Sequence, residues 1–287
     1  MDEKNSQEVV LKFPDLLAST DPACMERFAR EEWAGLRIQH PNVAQVIQQL
    51  PGQRHAAYYV QESLKRNTLQ KLLDESSKLP AKSVIDWLQQ STKGLLALHR
   101  KGIIHRDIKP ENLFLTCANR LVFLDLGTVY IEGLPPIAAA ASGQRIVGGT
   151  PEFMTPELYQ GERGDVLSDL FALGVTAYVL LIGRFSYGQP ESHIRPSFNE
   201  PEPIHQLHPD ISLDLSKIIM RCLSLEHTER PYDAGELLAW LRKPILLKSK
   251  EFVPLVERNP CVFISGNFGF FCSNYIFITH KINRGLC

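Results

Sequence analysis

The hydrophobic positions along this chain change period as it is read, and the changes separate a short strand-rich beginning from a longer helical remainder. Residues 8–13 form a β-branched run that stops at Pro14, the pattern of a strand. Across residues 22–39, Met25, Phe28, Ala29, Leu36 and Ile38 recur at helical spacing, and His40-Pro41-Asn42 closes the segment. Strands are predicted at 43–49 and 55–61, on either side of Pro51-Gly52. From Ser83, the positions Val84, Trp87, Leu88, Leu95 and Leu98 mark a long amphipathic helix that ends near Lys101-Gly102. Short strands at 112–115 and 121–124 follow, and then a Gly-, Ala- and Ser-rich stretch over 127–149. Residues 170–183 run for 14 positions without a charge, too short to span a bilayer but suited to a helix buried on every side. Two further amphipathic helices fit 212–224 and 232–243. A few strands and one helix followed by mostly helices predict an α+β molecule with a small strand-rich lobe and a larger helical one, and ligands often bind between such units.

Composition narrows the function classes. With 44% hydrophobic and 22% charged residues and a formal net charge of -1, the chain has neither the basic surface of a nucleic-acid binder nor an acidic tail. Its six cysteines lie far apart with no CxxC pair, which fits reduced thiols and suggests neither a zinc site nor a disulfide scaffold. The opening MDEKNSQEVVLKFPD lacks the apolar core of a secretory signal, so a cytoplasmic beginning is expected.

The chemistry concentrates in His105-Arg106-Asp107-Ile108-Lys109-Pro110-Glu111-Asn112, with Phe123-Leu124-Asp125-Leu126-Gly127 beginning 11 residues further on. Phosphoryl transfer to a hydroxyl needs a carboxylate to orient the acceptor, a cation for the moving phosphate and oxygen ligands for magnesium. Asp107, Lys109, and Asn112 with Asp125 supply these in turn. Singly, each is an ordinary surface charge or cap; the set in this order after a helix is not.

These segments resemble the protein kinase family from Val9 to about Leu241. The resemblance implies a bilobal protein-kinase-like fold, ATP and Mg²⁺ as cofactors, and a protein substrate with a Ser or Thr acceptor, since Lys109 lies two positions after Asp107 and Thr150 precedes the helical lobe. It implies that Lys12 binds ATP phosphates with Glu31, ten residues before Pro41, as its partner, and that backbone groups of Glu62 and Leu64 bind adenine. Gly149-Thr150-Pro151-Glu152-Phe153-Met154-Thr155-Pro156-Glu157 is similar to the family's Gly-Thr...Ala-Pro-Glu segment, with Glu157 pairing Arg230. Asp169 corresponds to the residue that braces the catalytic loop, although a helix N-cap is also compatible. Arg106 resembles an arginine that holds an activation-loop phosphate. Thr128, Ser142, Thr150 and Thr155 are the candidate acceptors, with Ser142 preferred and Thr150 expected to contact Asp107 and Lys109. The stretch around residues 9–33 is also similar to the kinase part of bacterial PP2C-type phosphatase–kinase fusions.

Three departures matter. Only 11 residues precede Lys12, fewer than two strands and a glycine-rich turn require, so the phosphate-covering hairpin is expected to be missing and the first strand to have an unpaired edge. Leu126 stands where the family has Phe, and Gly35, on the face of Glu31, is expected to thin the packing against Leu126 and to weaken its helix. Two explanations of the missing hairpin stay open: a chain cut from a longer protein, or a kinase that lost its covering.

The expected organisation is a kinase domain over 1–242, a basic linker over 243–258 and a hydrophobic tail over 259–287. Residues 259–279 carry no charge over 21 positions, enough to span a bilayer, but Asn267, Asn274 and two glycines oppose insertion. A tail anchored in the inner membrane and a disordered terminus are the competing expectations. Function likewise has two candidates: a Ser/Thr kinase, self-associating to phosphorylate itself, and a non-catalytic kinase-fold binding module.

Overall fold

A computed structural model describes residues 8–14, 21–49, 57–76, 79–135, 149–188 and 198–242. All belong to one compact unit, Met1–Lys248; the second unit, Ser249–Cys287, and with it the hydrophobic tail, lies outside the described residues. Pro51-Gly52 and Ser142 also lie outside them.

The small lobe begins with β1 (Val9–Lys12), followed by helix α1 (Pro22–Arg37), β2 (Val46–Ile47) and β3 (Tyr59–Glu62). The three strands form an antiparallel sheet in the order β1-β3-β2. Tyr59, Val60 and Gln61 are buried in the central strand, while Val10 and Leu11 of β1 are 41% and 49% exposed. Helix α1 starts where its sequence says it should: Asp21 accepts from the Ala23 N–H at 3.0 Å, and Pro22 occupies a first-turn position that needs no N–H.

Gly35 corrects an expectation. A Cβ at this position would lie 2.2 Å from Val46 Cγ2, so α1 and β2 approach more closely than any side chain at residue 35 permits. The glycine is a close contact to the sheet, not a gap facing Leu126.

The large lobe comprises β4 (Arg66–Thr68), α2 (Leu69–Glu75), α3 (Ala81–His99), β5 (Ile103–Ile104), β6 (Leu113–Thr116), β7 (Leu121–Phe123), β8 (Tyr130–Ile131), α4 (Pro156–Tyr159), α5 (Val166–Ile182), α6 (Ile204–Leu207), α7 (Leu213–Cys222) and α8 (Ala234–Leu241). β7 is one residue shorter than the expected strand, and β6 keeps its length but starts one residue later, because Asn112 itself lies in a 3-10 turn, Pro110–Asn112. Helix α5 is the axis of this lobe, buried from Ser168 to Leu181 and packed on α3, α6 and α7. Asp165 caps it through a box with Ser168, and Gly183 at φ 80° ends it. Asp169 is therefore not the N-cap; it lies one turn inside.

The lobes are joined by backbone as well as by chain connection. A parallel bridge pairs Val43 with Phe123, with Ala44 N donating to Phe123 O and Phe123 N to Asn42 O, both at 2.9 Å. Asn42 Nδ2 adds a bond to Leu121 O at 2.7 Å, and Arg120 donates to Pro41 O at 3.0 Å and to Glu62 at 2.8 Å.

An Ala for Gly exchange inside a helix ordinarily gains about 1 kcal/mol. At position 35 the collision with Val46 reverses the sign: Gly35→Ala is expected to lower stability by about 1–2 kcal/mol in thermal melts. The loss should be smaller in a Val46→Ala background, because the two side chains then no longer compete for the same space.

Candidate active site

The catalytic segment is shaped from outside by one carboxylate. Arg106 has φ 68°, a left-handed backbone that a non-glycine residue adopts only under constraint. Asp169, 1% exposed, provides that constraint by accepting from His105 N and Arg106 N, each at 2.8 Å, and by meeting His99 Nε2 at 2.8 Å. Burial pushes the Asp169 carboxyl upward, but His99 and these N–H donors outweigh it and hold the pKa below the ordinary range. Gly149 then passes so close that a Cβ would sit 2.7 Å from Arg106 O, and its φ of 122° is another reason that only glycine fits.

On this loop the Asp107 carboxylate is held on both oxygens. Thr150 Oγ1 donates to Oδ1 at 2.7 Å, while Asn112 Nδ2 at 2.8 Å and Lys109 Nζ at 3.0 Å approach Oδ2. Lys109 also donates to Thr150 Oγ1, which closes a three-residue ring. Asn112 Nδ2 donates to the Asp107 carbonyl as well, and among the described residues no donor is given to the Asn112 amide oxygen.

The second cluster lies on the small-lobe side. Lys12 Nζ is 2.6 Å from Glu31 and 3.9 Å from Asp125, and the Gly127 N–H donates to Asp125 Oδ1 at 2.8 Å. Burial raises Asp125, yet the Lys12 ammonium and the Gly127 N–H prevail and keep it ionised below the usual range. For Glu31 the balance goes the other way: burial, helped by the Asp125 charge, lifts its pKa despite Lys12. A backbone bond from Leu124 N to Asn112 O at 3.0 Å ties the two clusters together.

Of the residues singled out from sequence, Asp107, Lys109 and Asn112 thus form one group and Lys12, Glu31 and Asp125 another. Glu62 and Leu64 lie at the end of β3 and just after it. The Glu62 N–H is already given to Gln45 O at 2.9 Å, which leaves only its carbonyl for a ligand. The residue pattern does not single out Gln61, whose side chain donates to Leu124 O at 3.2 Å beside Asp125, or Tyr59, buried on β3 across from Lys12. A strand alignment placing residue 59 opposite Lys12 was the one available signal for the latter.

This arrangement has known counterparts. Residues 1–239 match the protein kinase domain. The chain belongs to the protein kinase family. It is 33% identical to the Ser/Thr kinase pkn2 of Myxococcus xanthus over 74% of this chain and 26% of that protein. It is 29% identical to a probable Ser/Thr kinase of Clostridium acetobutylicum, over 83% and 36% of the two, and 27% identical to PknB of Mycobacterium leprae, over 81% and 38%. The chain thus spans between about a quarter and two fifths of the length of these three relatives.

Within this kinase fold, Glu157 accepts from both Arg230 guanidinium nitrogens, at 2.6 and 3.2 Å, an ion pair that shares no residue with the Asp107 or Asp125 groups. Three of the four candidate phosphate acceptors have other tasks. Thr128 donates to His105 O at 3.1 Å, Thr150 is held between Asp107 and Lys109, and Thr155, 0% exposed, caps α4. Thr155 is therefore withdrawn as an acceptor. Arg106 places its guanidinium carbon 4.7 Å from the centre of the Tyr130 ring.

Burial raises Glu157, but Arg230 outweighs it and leaves the folded pKa low. The stabilisation is therefore complete above the ordinary carboxylate range near about 4 and lost as pH falls through the folded value. Glu157→Gln is expected to cost about 3 kcal/mol or more at pH 7 in urea titrations, because it leaves the Arg230 charge buried. Between pH 5 and 3, its stability should fall less steeply than that of the wild type.

Proposed function

We propose that this chain transfers the γ-phosphoryl group of ATP to Ser or Thr hydroxyls of proteins, itself included, in a Mg²⁺-dependent reaction. The observation that carries the reading is the Asp107 carboxylate, fixed on both oxygens by Thr150, Asn112 and Lys109 rather than left to rotate. Transfer through a loose transition state asks the protein mainly for position and charge. Asp107 orients the acceptor hydroxyl and takes its proton as that oxygen bonds to phosphorus and the bond to the ADP oxygen breaks. Lys109 lies beside the same carboxylate and offsets charge on the moving phosphate. Lys12, held by Glu31, binds phosphate oxygens. The carbonyl of Glu62 and the backbone of Leu64 receive adenine.

Asp125 and the amide oxygen of Asn112 are hard oxygen donors, a set that suits magnesium when nucleotide phosphates and water complete its shell. Bound there, the ion would neutralise phosphate charge. Among the described residues no group of three His, Cys, Asp or Glu is arranged to hold a metal, so the nucleotide has to bring part of the coordination.

Among the described residues β1 is an edge strand with Val10 and Leu11 exposed, which favours a second reading, a kinase-fold module that binds partners without turnover. The two separate in a ³²P-transfer assay on the chain itself and on a generic basic protein. Asp107→Ala is expected to reduce incorporation by about 10²- to 10⁴-fold. Incorporation that is absent, or that this substitution leaves unchanged, excludes the enzyme. Phosphoamino-acid analysis should return Ser or Thr.

The proposed organisation is a kinase domain over 1–242, a basic linker over 243–258 and a membrane-anchoring tail over 259–287, with the kinase domain on the cytoplasmic side of the inner membrane. Among the described residues no helix is long and apolar enough to cross a membrane. The tail is the one segment proposed to do so, on the strength of its uncharged run. Carbonate-washed membranes should retain the full chain and lose a variant ending at residue 248; release of both rules the anchor out.

A further inference from the structure

The segment that follows β3 is held at both ends by one turn of the large lobe, residues 117–120 between β6 and β7. At one end Arg120 donates to the Glu62 carboxylate at 2.8 Å, and at the other the Cys117 N–H reaches Lys65 O at 3.3 Å. The backbone of Arg120 is itself fixed. Its carbonyl accepts from Thr116 N at 2.9 Å and from Thr116 Oγ1 at 3.2 Å, and its N–H donates back to Thr116 Oγ1 at 3.1 Å. From this base the guanidinium forks to two acceptors, Glu62 Oε2 and, at 3.0 Å, Pro41 O. A planar guanidinium meets two acceptors in set directions, which a lysine ammonium on its flexible stem does not. The Arg120 and Glu62 side chains are 33% and 20% exposed, so the pair is less open to screening than one on the surface.

Glu62 is tied at three points. Arg120 takes Oε2, the Gln45 N–H donates to Oε1 at 3.0 Å, and the Glu62 N–H goes to Gln45 O at 2.9 Å. With the N–H and both carboxylate oxygens engaged, the direction of the carbonyl is set by its neighbours rather than by a ligand. Adenine offers a carbonyl the hydrogens of its 6-amino group, whereas guanine presents an oxygen at the same place. A rigid carbonyl therefore attracts one base and repels the other, and a loose one discriminates less.

We propose that Arg120 is a positioning residue that fixes the Glu62 carbonyl for adenine, and so sets both nucleotide affinity and the preference for ATP over GTP. It rests on the reading of Glu62 and Leu64 as the adenine-binding backbone. The bonds of Arg120 run to Thr116, Pro41 and Glu62, whereas those of Asp107 run to Thr150, Asn112 and Lys109. The effect should therefore fall on the nucleotide and spare the protein acceptor.

The test uses the full chain as wild type, Arg120→Gln, Arg120→Lys, Glu62→Gln and the double variant of Arg120→Gln with Glu62→Gln. The probes are fluorescent analogues of ATP and GTP labelled on the ribose, so that the bases are unmodified; kcat and the KM values for ATP and for protein acceptor are measured beside them. Arg120→Gln is expected to weaken the ATP analogue and raise the KM for ATP by about three- to tenfold. The GTP analogue and the acceptor KM should stay unchanged, so the preference for ATP falls. Arg120→Lys, which keeps the charge and loses the fork, should fall between. In the Glu62→Gln background Arg120→Gln should add less than about twofold, since the group it acts through has gone.

Arg120→Gln matching wild type overturns the proposal. So does a loss shared equally by the two analogues, which marks Arg120 as a general support, and so does an equal loss in both backgrounds. If Arg120→Gln does not fold, Arg120→Lys decides by the same ratio of affinities. A wild type that binds the two analogues alike defeats the adenine reading of Glu62 and the proposal with it. A wild type that prefers the ATP analogue and transfers no phosphate defeats the kinase reading alone, and Arg120 is then judged by affinity. A wild type that binds neither overturns both.

Discussion

Two consecutive backbone N–H groups, those of His105 and Arg106, converge on a single buried carboxylate, and the geometry of the large lobe follows from that convergence. Asp169 comes from the most deeply buried helix in the described lobe, so its position is set by core packing rather than by solvent or ligand. Bending the loop to satisfy both donors forces Arg106 into a left-handed conformation, and that conformation aims the next residue, Asp107, into the site. The strain and the buried charge are each unfavourable alone; three hydrogen bonds to one carboxylate offset them together. Gly149 belongs to the same arrangement, since the turned-out Arg106 carbonyl leaves no room for a side chain opposite it.

The small lobe is organised by a different constraint, the closeness of α1 to the sheet. Gly35 lets the helix backbone press on Val46, and that approach brings Glu31 within reach of Lys12 on β1. Lys12 lowers both Glu31 and Asp125, and their pKa values part because burial prevails at one and backbone support helps the lysine at the other. Asp125 has the Gly127 N–H, whereas Glu31 is more deeply buried on its helix.

Much of this was legible in the chain. The catalytic segment, the Asp125 segment and the spacing of Glu31 from Pro41 are local patterns, and local patterns survive folding. The pairing of Glu157 with Arg230 was also readable, because each lies in a segment with a recognisable neighbourhood. What escaped was information carried by contacts between distant strands and helices. Asp165 and Asp169 are both acidic residues at the start of one helix, and only the capping geometry tells which caps and which braces. Gly35 read as a weakness because helix propensity is a property of one segment, whereas its value here lies in Val46, 11 positions away.

The stitching of Asn42, Val43 and Ala44 to Phe123 has a mechanical consequence for α1. The C-terminal end of that helix is clamped to the large lobe, so a turn of α1 relative to the sheet pivots near residue 40. Glu31 sits about seven helical residues, roughly 10 Å, out along the lever arm. A rotation of about 10° there displaces its carboxylate by about 2 Å, enough to uncouple it from a lysine 2.6 Å away. A small angular change of α1 against the sheet is thus read out as a broken Lys12–Glu31 contact, whereas the bonds around Asp107 run to Thr150, Asn112 and Lys109 and involve neither element.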